Sequence, residues 1–349
     1  MGKPEDLVGW PEFPATTKSI LKNQLTKEIW EKYKDQKDSA GFSFKQAIFS
    51  GCQNTDSSVG AYAGSADSYT KFSDFFDKVI EEYHGLKQHT NEGAMDASQL
   101  KAPAFPADED AMIVSTRIRV GRNLKEYPLG PGISNAQRTE METKISTALK
   151  SFTGELAGTY YPLNSMSDAQ RKQLIEDHFL FKEGDRFLQA CGLNRDWPNG
   201  RGIFHNDAKT FLVWVNEEDQ LRIISMQKGS NIGEVFARLC KAANEIEKVV
   251  AFAKTPQLGY ITSCPTNLGT ALRASVHIKL PKLGTRKEEF QAIADKYHVQ
   301  IRGAHGEHTE TADHIYDISN RRRLGRNTTD LVQDMYDGVK AMIAREKEL

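Results

Sequence analysis

Long apolar runs are missing from this 349-residue chain, and no stretch approaches the length that a membrane span needs. The opening MGKPEDLVGWPEF lacks the apolar core of a signal peptide, and Glu5-Asp6-Leu7 after Gly2 is a poor acylation match. Cysteine is scarce: Cys52, Cys191, Cys240 and Cys264 are scattered, with no CxxC pair to suggest zinc and too low a density for a disulfide scaffold. A reduced, cytoplasmic protein is expected. A dominant charge is absent too. Forty-six basic residues face 47 acidic ones, a net charge of −1, so no global field draws nucleic acid or an anionic membrane. Arg321-Arg322-Arg323 is the one dense basic run, and such runs are usually solvated faces. Neither GxxxxGK[ST] nor GxGxxG occurs, so no glycine-rich cradle is available for phosphate. No His/Cys/Asp cluster has metal-ligand spacing, and no metal ligands are expected from the protein. Low-complexity tracts and internal repeats are likewise lacking.

What is present is globular: 39% hydrophobic and 27% charged residues, in a chain long enough for two domains. Residues 1–90 read as helical. Leu21, Leu25 and Ile29 recur at four-residue steps, and Phe72, Phe75, Phe76, Val79, Ile80 and Tyr83 recur at helical spacing up to Gly85. Between them, residues 54–62 are small, polar and glycine-bearing, and read as a loop that either wraps a ligand or merely connects helices. Residues 91–110 carry little periodicity and serve as a linker to a second domain over 111–349. There, Ile113 to Val120 and Leu272 to Leu280 alternate with the period of a strand. Ser134-Asn135-Ala136-Gln137 and Ser167-Asp168-Ala169-Gln170 read as capping boxes, and Phe211–Val215 and Leu221–Met226 as a hairpin around an acidic turn. Helices over 232–246 and 286–297, strands near 299–302 and 315–319, and a C-terminal amphipathic helix complete an α+β chain: a small all-helical N-terminal domain and a larger one with an antiparallel sheet flanked by helices.

Five arginines sit on these strands or at their ends: Arg117, Arg119, Arg222, Arg273 and Arg302. A guanidinium forks onto phosphate oxygens, so the five form a candidate polyanion site; separately, each reads as a surface charge. Glu218 and Glu307 stand in loops beside the same strands, where paired carboxylates fix a planar cation or move protons, or are simply solvated. Cys264, ahead of Pro265-Thr266, is either an inert buried thiol or one ionised by cationic neighbours. His178 and His277 suit either contact with a nucleobase or a structural role.

The motifs STRIRVGR (115–122), NEED (216–219), CPTNLGT (264–270), RASVHIKLP (273–281) and RGAHGEHTE (302–310) together resemble the phosphagen (ATP:guanido) kinases, above all those acting on arginine, along nearly the whole chain. The resemblance implies reversible phosphoryl transfer from MgATP to the guanidinium of L-arginine, giving phosphoarginine and MgADP, with Mg²⁺ held mainly by the nucleotide. It implies that Ser115, Arg117, Arg119, His178, Arg222, Arg273, His277 and Arg302 meet the nucleotide. Glu218 and Glu307 would hold the guanidinium beside the reactive Cys264, and the loop with Ser58, Val59, Gly60 and Tyr62 would meet the amino-acid end. Ser58 stands where a glycine is common in the family and Gln220 where a histidine is common, while Tyr83 replaces the basic residue of members using other guanidines. Residues 302–315 are expected to close over the site once both substrates bind. The expectation is a monomer without nucleic-acid or membrane partners. Kinases for taurocyamine or lombricine, and a non-catalytic nucleotide- or arginine-binding protein, are the alternatives.

Overall fold

The computed structural model describes residues 2–89, 95–303 and 313–349. Glu307, and with it most of the expected closing loop, lies outside the described residues.

The N-terminal part is helical: α1 (Ile20–Gln24), α2 (Lys27–Tyr33), α3 (Phe44–Gln53), α4 (Ala66–Lys71) and α5 (Ser73–His84). The Leu21, Leu25, Ile29 spacing does not make one helix. Leu25 leaves the helical region at ψ 106°, and the Thr26 hydroxyl caps a new start by accepting from Ile29 N–H. All three side chains remain buried because both short helices turn the same face inward. Helix α5 buries Phe75, Phe76, Val79 and Ile80 and ends where Gly85 adopts φ 70°, a left-handed closure that glycine reaches without strain.

After the single turn α6 (Ala107–Asp110) come β1 (Ile113–Arg122), α7 (Asn135–Lys150), β2 (Gly158–Pro162), α8 (Asp168–Glu176), α9 (Arg186–Ala190), β3 (Gly202–Asn206), β4 (Phe211–Val215), β5 (Leu221–Lys228) and α10 (Ile232–Glu247). A two-stranded ribbon, β6 (Lys254–Thr255) and β7 (Gly259–Tyr260), leads to β8 (Leu272–Lys279), α11 (Lys287–Lys296), β9 (Val299–Gly303), β10 (Ile315–Asn320) and α12 (Thr328–Glu348). Both expected capping boxes open their helices, α7 and α8.

Eight strands form one antiparallel sheet in the order β2-β3-β4-β5-β1-β8-β10-β9. One face carries Ile118, Val120, Ile223, Ala274, Val276, Ile278 and Ile318 into the main core, under α7, α10, α11 and α12. Because side chains alternate across a strand, the polar residues between these apolar ones must share the other face. Register brings them into rows. Arg119 is opposite Arg273, Ser115 is opposite His277, and Asp317 is opposite both His277 and Arg302. Toward β2 the same face turns apolar, with Ile203, Leu212 and Ile224 packed under Leu180 and Phe181.

The helical part closes against one end of this face. Its core is continuous with Leu258, Ile261, Leu268 and Leu324. Ala63 N donates to Ser263 O at 2.8 Å, Tyr69 Oη to Thr262 O at 2.7 Å, and His84 Nε2 lies 2.8 Å from Pro265 O.

Candidate active site

The acidic turn between β4 and β5 is held from both sides. Asn216 takes a left-handed φ of 60°, which asparagine tolerates better than most residues. Asp219 Oδ1 accepts from Asn123 Nδ2 at 2.9 Å, Ser263 N at 2.9 Å and Ser263 Oγ at 3.2 Å. Gln220 adds three bonds: its N donates to Asn123 Oδ1 (2.9 Å), its Nε2 to Pro128 O (2.7 Å), and its Oε1 accepts from Leu124 N (2.8 Å). Glu217 and Glu218 are thereby aimed at Arg222, at 3.4 and 3.6 Å. Burial, then Glu217 and Asp219, push the Glu218 carboxyl up to about 7; Arg222 and Arg119 oppose the shift without cancelling it.

Glu218 lines a cavity of about 550 Å³ together with Cys264, Ser58, Val59, Gly60 and Tyr62, so the expected substrate residues within the described chain are gathered in one place. The 57–62 loop is turned so that its carbonyls face the helices. Ser58 O and Val59 O accept from Ile20 and Leu21 N–H at 3.0 and 2.9 Å, and Gly60 O from Gly51 N–H at 3.1 Å. The N–H groups of Ser58, Val59 and Gly60 have no acceptor among the described residues and remain available to an anion. Glycine is required at position 60: φ is +88°, and a Cβ there would stand 3.0 Å from Gly51 Cα.

Cys264 Sγ lies 3.1 Å from Thr266 Oγ1. Burial pushes its thiol up to about 12, and Glu218 adds to the rise. Cationic surroundings do not ionise it in the ligand-free protein; a guanidinium set beside it would act in that direction.

The arginine face adjoins this cavity. Arg117 and Arg222 lie over the Trp214 ring, 5.6 and 5.4 Å from its centre. Arg119 Nη1 donates to Ala271 O at 3.2 Å. Arg273 Nη2 and His277 Nε2 share Asp317, at 2.5 and 3.0 Å. Burial opposes ionisation of Asp317, but His277 and Arg273 outweigh it and hold the carboxyl low. Burial and then the neighbouring Arg222 and Arg273 push Arg117 down to about 9, and burial and then Arg222 hold Arg119 well below its ordinary value. Arg222 is the exception: burial works against its charge, yet Glu217, Glu218 and Asp219 raise it. Arg302 belongs to both regions, opposite Asp317 in the sheet and on the wall of the acid-lined cavity. The neighbourhood can therefore hold a polyanion against a planar cation.

Ser115 is half-buried opposite His277. His178 stands apart from both groups, exposed at φ 63° just past α8, next to Phe179, whose carbonyl accepts from Trp214 Nε1 at 2.9 Å. The run Arg321-Arg322-Arg323 is no free basic patch. Arg321 pairs with Asp295 and Arg322 with Asp334, both within 2.8 Å, while Arg323 lines a second cavity of about 780 Å³ with Tyr83 and Arg302. Sequence reasoning missed Glu217, Asp219, Thr266 and Asp317. The first two lay in the NEED run itself, and the alternation of Ile315–Asn320 already put Asp317 on the polar side.

Residues 15–81 match the model of the ATP:guanido phosphotransferase N-terminal domain, and residues 140–349 that of its C-terminal catalytic domain. The chain is 52% identical over 344 residues to arginine kinase Lit v 2 of Penaeus vannamei, covering 98% of this chain and 97% of that protein. It is 53% identical over 337 residues to an arginine kinase of Anthopleura japonica, of whose length it spans 47%. Among solved structures, a lombricine kinase superposes with a TM-score of 0.91 at 36% identity, covering 99% of this chain and 96% of that one. The duplicated taurocyamine kinase of Schistosoma mansoni, with bound transition state analog components, gives 0.86 at 43%, covering 94% of this chain and 46% of that one.

Proposed function

The chain belongs to the ATP:guanido phosphotransferase family, and from that premise we propose that it moves the terminal phosphoryl group of ATP onto the guanidinium of L-arginine, reversibly. One observation carries the reading. Arg302 faces both the arginine-lined sheet and the cavity of Glu218 and Cys264, so donor phosphates and acceptor nitrogen meet there. The acceptor nitrogen forms a bond to phosphorus as the bond from phosphorus to the leaving ADP oxygen breaks, and the nitrogen gives up a proton. Little covalent work is asked of the protein, so alignment and charge stabilisation dominate. Arg117, Arg119, Arg222, Arg273 and Arg302 take the phosphate charge. Glu218 orients the guanidinium and, with a carboxyl near neutrality, can accept the proton. Glu307 is assigned as the second acid, delivered by closure of the segment after Arg302. Cys264, as a thiolate beside the bound guanidinium, biases charge within it and forms no covalent bond. Ser115, His178 and His277 are assigned to the nucleotide's other end.

Mg²⁺ would come bound to the nucleotide phosphates and help neutralise them; the described residues offer no cluster of three or more His, Cys, Asp or Glu to hold it. A monomer in a reducing cytoplasm belongs to the same reading, in keeping with the scarcity of cysteine. No helix among the described residues is long and apolar enough to cross a membrane. The linker at 91–110 is part of the same reading.

ADP release from MgATP with a panel of guanidines tests it. Turnover should be fastest with L-arginine. Faster turnover with taurocyamine or lombricine would reassign the substrate, and ATP binding without ADP release on any guanidine would leave a binding protein only.

A further inference from the structure

The geometry points to Asp185 as the group that receives the α-ammonium of the acceptor, and hence as a determinant of which guanidine is phosphorylated. The inference rests on the guanidine-phosphorylating reading above. Asp185 lies on the wall of the 550 Å³ cavity, and it and Glu218 are the two acids among the described residues that line it. Its Oδ1 accepts from the N–H groups of Phe187 and Leu188 at 3.0 and 3.1 Å, while its Oδ2 has no partner among the described residues. One oxygen is thus used to fix the carboxylate and the other is left for a ligand. A side chain held this way loses little further freedom when it binds.

The two acids are braced to different parts of the cavity. The segment that carries Asp185 is tied to α3 and to the turn ahead of the 57–62 loop: Ser50 Oγ donates to Phe187 O at 2.8 Å, and Arg186 Nη1 to Asp56 Oδ1 at 2.8 Å. Glu218 is tied to the thiol side through Asp219 and Ser263, 2.9 Å apart. Tyr62, on the same wall, has its phenol pushed up by burial first and then by Cys264, Cys191, Glu218 and Asp185, so it feels both acids.

A guanidino α-amino acid carries two cations and one carboxylate. Glu218 takes the guanidinium, Asp185 takes the ammonium, and the N–H groups of Ser58, Val59 and Gly60 take the carboxylate. A guanidine that ends in an acid without an ammonium, such as taurocyamine, would leave Asp185 facing like charge. Selectivity then comes from repulsion of the wrong acceptor as well as attraction of the right one.

The test compares L-arginine with 5-guanidinopentanoate, which lacks only the ammonium. Wild type and Asp185→Asn are measured by steady-state kinetics and by calorimetric binding. Asparagine keeps an oxygen for the Phe187 and Leu188 N–H groups, so the cap survives. Asp185→Asn should raise the KM for arginine about ten- to a hundredfold while leaving its kcat and the analogue's constants nearly unchanged. Equal losses on both compounds would make Asp185 merely a cap, and unchanged arginine affinity would remove it from the site; either result overturns the inference. Calorimetry gives the same contrast without turnover, so a wild type that binds arginine but releases no ADP would strike the activity reading and leave this one standing or falling on the binding data.

Discussion

The two sides of the cleft use one device with opposite signs. On the sheet face, buried Arg119 and half-buried Arg117 and Arg273 are crowded, and each is pushed toward losing its proton. In the cavity, Glu218 is crowded by Glu217 and Asp219 and pushed toward gaining one. Each side is short of counter-charge on its own account, and in the proposed reaction a polyphosphate would supply it for the first and a guanidinium for the second. The sides differ in their supports. The acids hang on a turn fixed by six hydrogen bonds from Asp219 and Gln220, whereas the Arg117 guanidinium has a ring beneath it and no hydrogen bond among the described residues. On the proposed reading, acceptor geometry is set in advance and phosphate geometry is completed by the ligand.

The strongest way to break this contrast is Glu218→Gln. It keeps the shape and removes the charge proposed to orient and deprotonate the acceptor. Turnover should fall by about a thousandfold, with nucleotide affinity near that of the parent. Steady-state kinetics with calorimetric ATP binding would check it, and proportional losses in both would mean that the two sides are not separable.

On the cationic side, Arg117→Met should lower ATP affinity about ten- to a hundredfold. The same change removes a half-buried cation crowded by Arg222 and Arg273, so the free protein should gain ~1 kcal/mol in urea unfolding. A loss of stability would contradict the idea that the arginines are crowded at the expense of the fold.

How much of this was legible in sequence depended on the range of the interaction. Period-two alternation put Arg117, Arg119, Arg273 and His277 on one face, because alternation is local. The capping boxes and Gly85 marked helix ends for the same reason. Strands β2 and β3, at five residues each, were too short to show a period, and the hydroxyl cap at Thr26 overrode the spacing of Leu21 and Ile29. Partners were the hidden part. Asp317 meets Arg273 across 44 positions, and Asp219 meets Ser263 across the same span; only strand register and loop packing decide such pairs. The protonation of Cys264 was illegible too, since burial rather than neighbouring residue types sets it.

A smaller effect sharpens the acid side. Glu218 titrates near 7 in the folded protein against 4.5 ordinarily. Between these values the folded state holds the extra proton, so this group's contribution to stability falls as pH rises through that window, and Glu218→Gln should remove its share of the slope. A bound guanidinium needs the carboxylate. Arginine affinity should therefore weaken by up to about tenfold per unit below pH 7 and level off above it, with proton release measurable by calorimetry in buffers of different ionisation heat. Flat affinity between pH 5.5 and 7 would show that Glu218 is already ionised.

The smallest effect concerns Gln220, where the resemblance leads to the expectation of a histidine. The side chain is buried and makes two bonds, accepting from Leu124 N at 2.8 Å and donating to Pro128 O at 2.7 Å. A neutral imidazole also offers one acceptor and one donor, on opposite sides of a ring, so it can reproduce the pair with a small adjustment of the 123–128 segment. Asp219 and the backbone N–H of residue 220 keep their own partners and continue to aim Glu218. Gln220→His should then cost about 1 kcal/mol at most in thermal unfolding and change turnover less than about twofold. Gln220→Leu, which leaves the buried Leu124 N–H and the half-buried Pro128 O without partners, should cost about 2 kcal/mol and lower kcat with it. If histidine damages turnover as much as leucine does, the turn is held by the shape of glutamine rather than by its two hydrogen bonds.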